Sequence, residues 1–456
     1  MTDKTIEFFK EIAQIPRESG NEEKIANYLC EFAKKRNLEY KKDKWNNVLI
    51  KKQTINKPTI ILQAHMDMVC EKLPEKKFDF AKDSIEIIEE NGYLRANGTT
   101  LGADNGIGVA QILTVLDSEL PSNVEAVFTV SEETSMTGAI NFDTTELKGK
   151  QLLNLDGFEE NTIVIESACF YDIVLKSEYQ LKEENTESEY LIAIEGLPGG
   201  HSGFEIDKSR GNSCIELAKI LEQIGEYRLN NFVAGTKFNV IPSNGFAIFC
   251  TEQPLEEISK ICREAEQKLE LQYPNVQIKV KKQNTIRKIL NAKESKHFIR
   301  TILEFPHGVL YQNEKNEVTT SINLAVVDLQ KNEIKVGMRS SKKQEEEQCI
   351  KIIERYCEKQ TLQFNILGTQ PGFESNQNSK IIQNLLKSQP TKLFIKPVKM
   401  KSMHITVEVG FFQKKIPDLE IAIISPTITG AHTIQECVEI ASIERTTEWI
   451  FKFLEL

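Results

Sequence analysis

The sequence predicts an α/β fold: a mixed, mostly parallel sheet in a main domain, interrupted by an inserted α+β domain. Three observations predict it. Short apolar runs rich in β-branched residues, Val48-Leu-Ile50 and Thr59-Ile-Ile-Leu62, alternate with apolar residues at helical spacing. Several of these runs end directly in polar residues able to do chemistry. A charged stretch, 181–189, then breaks the order, and the first pattern returns only near Pro371-Gly-Phe373.

The elements follow in order. Ile6, Phe9 and Ile12, then Ile25, Tyr28, Leu29 and Phe32, predict two helices separated by Ile15-Pro-Arg-Glu-Ser-Gly20. The runs at 48–50 and 59–62 read as strands buried on both faces. Gly106 to Leu116 reads as a helix and Val124 to Val130 as a strand. Beyond the charged stretch, Tyr190–Ile194 and Gly245–Cys250 read as strands and Ser213–Ile224 as a helix. Ile334–Met338 and a long helix over 341–359 follow. Ile421–Ile424 and Cys437–Leu454 return to the first type. The expected organisation is residues 1–179 and 371–456 as one discontinuous domain, with 180–370 inserted.

A chain of 456 residues is long enough for two domains. Its 40% hydrophobic and 27% charged residues fit a globular protein, and a net charge of −10 argues against nucleic-acid and anionic-membrane partners. No apolar run approaches the ~18 residues that span a bilayer. The nine cysteines show no CxxC pairing, which indicates free thiols in a reducing, cytoplasmic compartment.

Only six histidines are present, so those in motifs stand out. His65-Met-Asp67 follows the strand at 59–62; a histidine there can ligate a metal while the aspartate fixes its tautomer. Gly98-Thr-Thr-Leu-Gly-Ala-Asp104-Asn-Gly-Ile-Gly108 crowds glycines around one carboxylate at a helix start, and it lacks the endings of phosphate and dinucleotide loops. Ser131-Glu132-Glu133 follows the strand at 124–130; adjacent carboxylates repel unless a cation or a proton intervenes. Asn154-Leu-Asp156-Gly157 and Gly430-Ala-His432 complete the set. Each alone is an ordinary turn, helix cap or solvated acidic pair. Together they place His65, Asp104, Glu132, Glu133, Asp156 and His432 where α/β sheets gather ligands. Two imidazoles with carboxylate oxygens suit Zn²⁺, Co²⁺ or Mn²⁺ better than Ca²⁺.

These segments, with Gly199-Gly-His-Ser-Gly203, Arg210-Gly-Asn212 and Pro426-Thr-Ile-Thr-Gly-Ala-His432, resemble the cytosolic non-specific dipeptidases. That group is also called Xaa-His or aminoacyl-histidine dipeptidases, of the aminoacylase/carboxypeptidase clan of di-zinc hydrolases. The resemblance runs the length of the chain. It implies a catalytic domain with an inserted lid and two divalent ions per chain, zinc first, with cobalt or manganese as alternatives. By the same likeness, His65 and Asp156 would hold one ion, Glu133 and His432 the other, and Asp104 both. Asp67 would orient His65, Glu132 would be the general base, and His201 would stabilise the oxyanion. Asn239 and Arg339 would grip the substrate carboxylate, and Glu408 of His404-Ile-Thr-Val-Glu408-Val-Gly410 would also touch substrate. The pattern departs at Ser243, where arginine is usual, within 404–410, and after His432. The expected activity is hydrolysis of dipeptides with free termini, Xaa-His included. A deacylase acting on N-acyl amino acids, or an inactive metal-binding protein, are the alternatives. The expected partner is a small peptide, with no nucleic acid or membrane; a homodimer is left open.

Overall fold

The computed structural model describes residues 2–54, 57–183, 188–283, 288–394 and 397–456. Residues 184–187 of the charged stretch thus lie outside the described residues. The chain forms two compact units. The first is Met1–Ser167, Phe373–Met403 and Val407–Leu456, and the second is Ala168–Gly372 and His404–Thr406.

The first unit is built on an eight-stranded sheet. Its strands are β1 (Glu39–Lys42), β2 (Val48–Lys52), β3 (Ile60–His65), β4 (Val124–Thr129), β5 (Gln151–Asn154), β6 (Thr162–Ser167), β7 (Lys399–Met403) and β8 (Glu420–Ile423). They lie in the order β1-β2-β4-β3-β5-β8-β6-β7. The central strands β4, β3, β5 and β8 are mutually parallel. The pairs β1–β2, β2–β4 and β8–β6 are antiparallel. β4 and β5 are buried along their whole length, as parallel strands covered by helices must be, and so read as continuous apolar runs.

The helices that matter here are α1 (Thr2–Ile12), α2 (Glu23–Lys35), α3 (Ala103–Asp117) and α4 (Ile440–Glu455). Every residue of α3 from Ala103 to Leu116 is buried, which requires the apolar, glycine-rich composition it has. The core of this unit joins Phe9 and Ile12 of α1, Ile107 and Leu113 of α3, and Trp449 of α4 to the sheet. A small antiparallel sheet contains Ile428–Thr429, Cys437–Glu439, Tyr93–Ala96 and Ile87–Glu90.

The second unit is a nine-stranded antiparallel sheet with its own core. The helices Ser213–Ile224, Ala292–Leu303 and Lys343–Gln360 supply Leu217, Phe298 and Ile353 to that core. Residues 169–176, which the sequence pattern places with the first domain, form a strand here, paired with Glu333–Ser340. The charge run at 181–189 falls one strand past the crossover, so the change in composition lags behind the change in fold.

Candidate metal centre

Three neighbouring strands end at one place. β3 ends in His65, two residues before Asp67. β4 runs into Ser131, Glu132 and Glu133, and β5 into Asp156. The register sets His65 beside Thr129 and Gln63 beside Asn154, so the residues following each strand emerge side by side. His432 arrives by a further step that its distance from β8 conceals. It sits between Ile428–Thr429 and Cys437–Glu439, in left-handed backbone at φ 64°. Asp104 lies at the start of α3, where Asp104 and Asn105 are joined by a cis peptide bond.

The side chains converge on Asp104. His65 Nε2 is 3.2 Å from its Oδ1, and His432 Nε2 is 3.1 Å from its Oδ2. Asp156 lies 3.9 Å from His65 Nε2, and Glu133 lies 2.9 Å from His432 Nε2. His65–Asp104–Asp156 and Asp104–Glu133–His432 are each compact enough for one ion, and they share Asp104. A third group, His65–Glu132–Glu133, overlaps both. Asp67 Oδ1 stands 3.3 Å from His65 Nδ1, and its carboxylate accepts from the backbone N–H of Glu132 and Glu133 and from Ser19 Oγ. One buried aspartate therefore lies against the histidine ring and fixes the backbone of both glutamates.

The electrostatics are those of crowded acids. Burial pushes the carboxyls of Glu132, Asp156 and Glu133 up, and the Asp104 charge adds to the effect at Asp156 and Glu133. At Asp104 burial acts the same way, but hydrogen bonds from His432 and His65 outweigh it and hold the carboxyl below its usual range. The same bonds to Asp104 and Glu133 raise the His432 imidazole to about 11. Protonation of imidazoles and carboxyls relieves part of such like-charge repulsion. A divalent cation would supply that relief directly and displace the protons. Glu133 Oε1, buried and without a hydrogen-bond partner, is a further acceptor open to such an ion. The donor set therefore fits a pair of divalent cations.

Behind the cluster runs a buried polar chain absent from the sequence reading. Asp156 N donates to Asn154 Oδ1 at 2.8 Å, and Asn154 Nδ2 donates to Gln63 Oε1 at 2.5 Å. Gln63 Nε2 donates to Glu408 Oε1 at 2.5 Å, to which Thr129 Oγ1 also donates at 2.7 Å. Glu408, expected to touch substrate, is thus fully buried beneath the strand ends, and only its Oε2 lacks a partner. Burial pushes its carboxyl up to about 7. Gln63, a lone amide inside an apolar strand, is the signal that could have revealed this chain.

The second unit gathers the other sequence-predicted residues. Arg339 is 4% exposed and stacks over the Phe170 ring, 4.3 Å from its centroid. Among the described residues no carboxylate lies at ion-pair distance from its guanidinium. Glu345 instead accepts from Thr319 and Thr320, and Glu346 from Tyr171 and Lys343. His201 Nδ1 accepts from Gly203 N at 3.2 Å, which leaves the ring proton of the neutral form on Nε2. That nitrogen lies 3.4 Å from Arg339 Nη2. Gly200–His201 pairs with Val240–Ile241, which sets Asn239 beside His201, with its carbonyl accepting from Ser202 N at 2.9 Å. His404 Nε2 meets Ser321 Oγ at 2.7 Å.

A mixed α/β sheet with carboxylates and imidazoles gathered beyond its parallel strands defines a hydrolase built around divalent cations. The model for Peptidase family M20/M25/M40 matches residues 61–456, and the chain belongs to that family of metal-dependent peptide hydrolases. It is 31% identical to the cytosol non-specific dipeptidase of Escherichia coli (strain K12), over 96% of this chain and 94% of the relative. Its fold matches the crystal structure of aminoacylhistidine dipeptidase from Vibrio alginolyticus with a TM-score of 0.82 and 27% identity, covering 99% and 96% of the two chains. A tripeptidase from Staphylococcus aureus shares the fold alone, with a TM-score of 0.58 at 15% identity over 100% and 98% of the chains.

Proposed function

We propose that the chain hydrolyses dipeptides with free termini, Xaa-His among them, with two divalent cations, zinc first, on the cluster. One observation carries this reading: the two oxygens of Asp104 face different imidazoles, and each imidazole has a second carboxylate of its own. His65 and Asp156 would hold one ion, Glu133 and His432 the other, with Asp104 common to both. When bound, such ions polarise a carbonyl and make water more acidic. Asp67 holds His65 with Nε2 presented to the cluster. Glu132 takes a proton from the attacking water and passes it to the leaving amine. Its backbone is pinned by Asp67, and burial raises its carboxyl toward the range in which it can do both.

Both substrate ends are read. The acidic cluster attracts the ammonium group. Arg339, with its planar fork and, among the described residues, no carboxylate at ion-pair distance, receives the carboxylate, helped by Asn239; His201 would stabilise the developing oxyanion. A cytoplasmic setting accords with the name of the E. coli relative and with the nine free cysteines. Among the described residues no helix is long and apolar enough to cross a membrane.

Metal-loaded protein, freed of excess, should retain two ions per chain by elemental analysis. kcat/KM for a dipeptide should exceed that of its C-terminal amide by roughly ten- to a hundredfold, since a charge-assisted contact is worth about 1.5–3 kcal/mol. The N-acetyl form and the matching tripeptide should fall similarly. Equal cleavage of acid and amide would remove Arg339 from its role. Preference for the N-acetyl form would establish the deacylase reading instead.

A further inference from the structure

The segment between α1 and α2, read from sequence only as a break between helices, reaches into the centre of the first unit. Arg17 is 1% exposed. Its Nη1 donates to the carbonyls of Met66 at 3.2 Å and Asp67 at 3.0 Å, and its Nη2 to the carbonyl of Gly102 at 2.5 Å. One guanidinium therefore ties the chain leaving β3, which carries His65 and Asp67, to the turn that carries Asp104. The backbone adds to the tie, since Met68 N donates to the Arg17 carbonyl at 3.1 Å. The Gly102 turn is gripped from its other side by Glu436, which accepts from the N–H groups of Leu101, Gly102 and Asp104.

Two glycines of the Gly98–Gly108 segment answer to the same side chain. A Cβ on Gly102 would stand 2.3 Å from Arg17 Nη2, and one on Gly106 would stand 2.7 Å from it. The segment is glycine-rich here because the guanidinium occupies the space. Ser19 and Glu22 extend the brace: Ser19 Oγ donates to Asp67 Oδ2 at 2.7 Å. Glu22 Oε1 accepts from Ser131 N at 2.9 Å and from Ser131 Oγ at 3.0 Å, immediately before Glu132.

We propose that Arg17 is a positioning residue that sets the spacing of His65 and Asp104 by clamping their two backbone segments together. The proposal rests on the reading of that cluster as the metal site. Lysine cannot replace it, because a single ammonium lacks the rigid fork that spans two loops.

The test compares Arg17→Lys, Arg17→Met and Gly106→Ala in the full chain, with Lys52→Met as control. Lys52 is also a buried cation on carbonyls, those of Val115 and Ser118 at the far end of α3. Zinc affinity is measured on folded apoprotein by competition with a chromophoric chelator, and kcat and KM are measured separately. The Arg17 variants should bind zinc roughly ten- to a hundredfold more weakly, as removal of a ligand-orienting group does. kcat should fall while KM stays near its original value. Gly106→Ala should reproduce the loss by displacing the guanidinium, and should add nothing in an Arg17→Met background. Lys52→Met should keep its zinc affinity. Wild-type zinc affinity in folded Arg17→Lys or Gly106→Ala overturns the proposal, even if Arg17→Met does not fold. So does equal zinc loss in Lys52→Met. His65→Ala separates the two readings: if it leaves zinc affinity unchanged, the metal assignment itself falls; if it loses zinc while the Arg17 variants do not, only the brace falls.

Discussion

Glu132 and Glu133 are neighbours in sequence held in place by one carboxylate, that of Asp67, yet the structure separates them. Glu133 reaches His432 at 2.9 Å and shares a compact group with Asp104. Glu132 belongs to neither of the groups that contain Asp104. Glu132→Gln is therefore expected to retain both metals and lose about 10²–10⁴-fold in kcat, the usual share of a general base. Elemental analysis beside steady-state kinetics checks both halves, and a variant with near-normal turnover would place the base elsewhere. The residues that converge on Asp104 were legible because each stands out locally: a scarce histidine, a doubled glutamate, an aspartate among glycines. Arg17 and Gln63 were not, because what defines them is remote. Arg17 bonds to carbonyls 49, 50 and 85 positions away, and Gln63 bonds to Glu408, 345 positions away.

At the level of elements, apolar runs revealed part of the framework, such as the strands at 48–52, 60–65, 124–129 and 333–340, since burial on two faces leaves a signature within a few residues; strands such as 162–167 and 318–328 went unread. Boundaries were less legible. The strand at 169–176 has the same apolar character as those before it, and only its partner at 333–340 assigns it to the second sheet. The extra hairpin holding His432 was also invisible, because Ile428–Thr429 is too short to announce a strand. α4 shows how a late helix stabilises an early sheet. Trp449 is 1% exposed, its Nε1 donates to the Leu385 carbonyl at 2.9 Å, and its ring stacks edge-on against Phe394. Trp449→Ala should cost about 3–5 kcal/mol, mostly as an unfilled cavity. Urea unfolding measures it, and kcat of the folded fraction should stay unchanged. A loss below 1 kcal/mol would mean that the surrounding helices collapse into the space.

At the scale of the whole molecule, every candidate ligand belongs to the first unit. Chelation should therefore destabilise that unit selectively, because it leaves buried carboxylates and imidazoles to relieve their repulsion with protons alone. Hydrogen exchange should quicken around β3, β4 and the start of α3 on metal removal, while strands of the second unit such as 245–250 keep their protection. Uniform quickening would show that the two units unfold as one. The sheet of the first unit also has an order of assembly written into it. β8, made of residues 420–423, lies between β5 and β6, and His432 follows it. A ribosome synthesising this chain has placed His65, Asp104, Glu133 and Asp156 long before it reaches either. Until then the sheet has a gap at its middle and the candidate metal cluster lacks His432. On the proposed assignment, a nascent chain stalled before residue 432 lacks that imidazole and should not hydrolyse peptides.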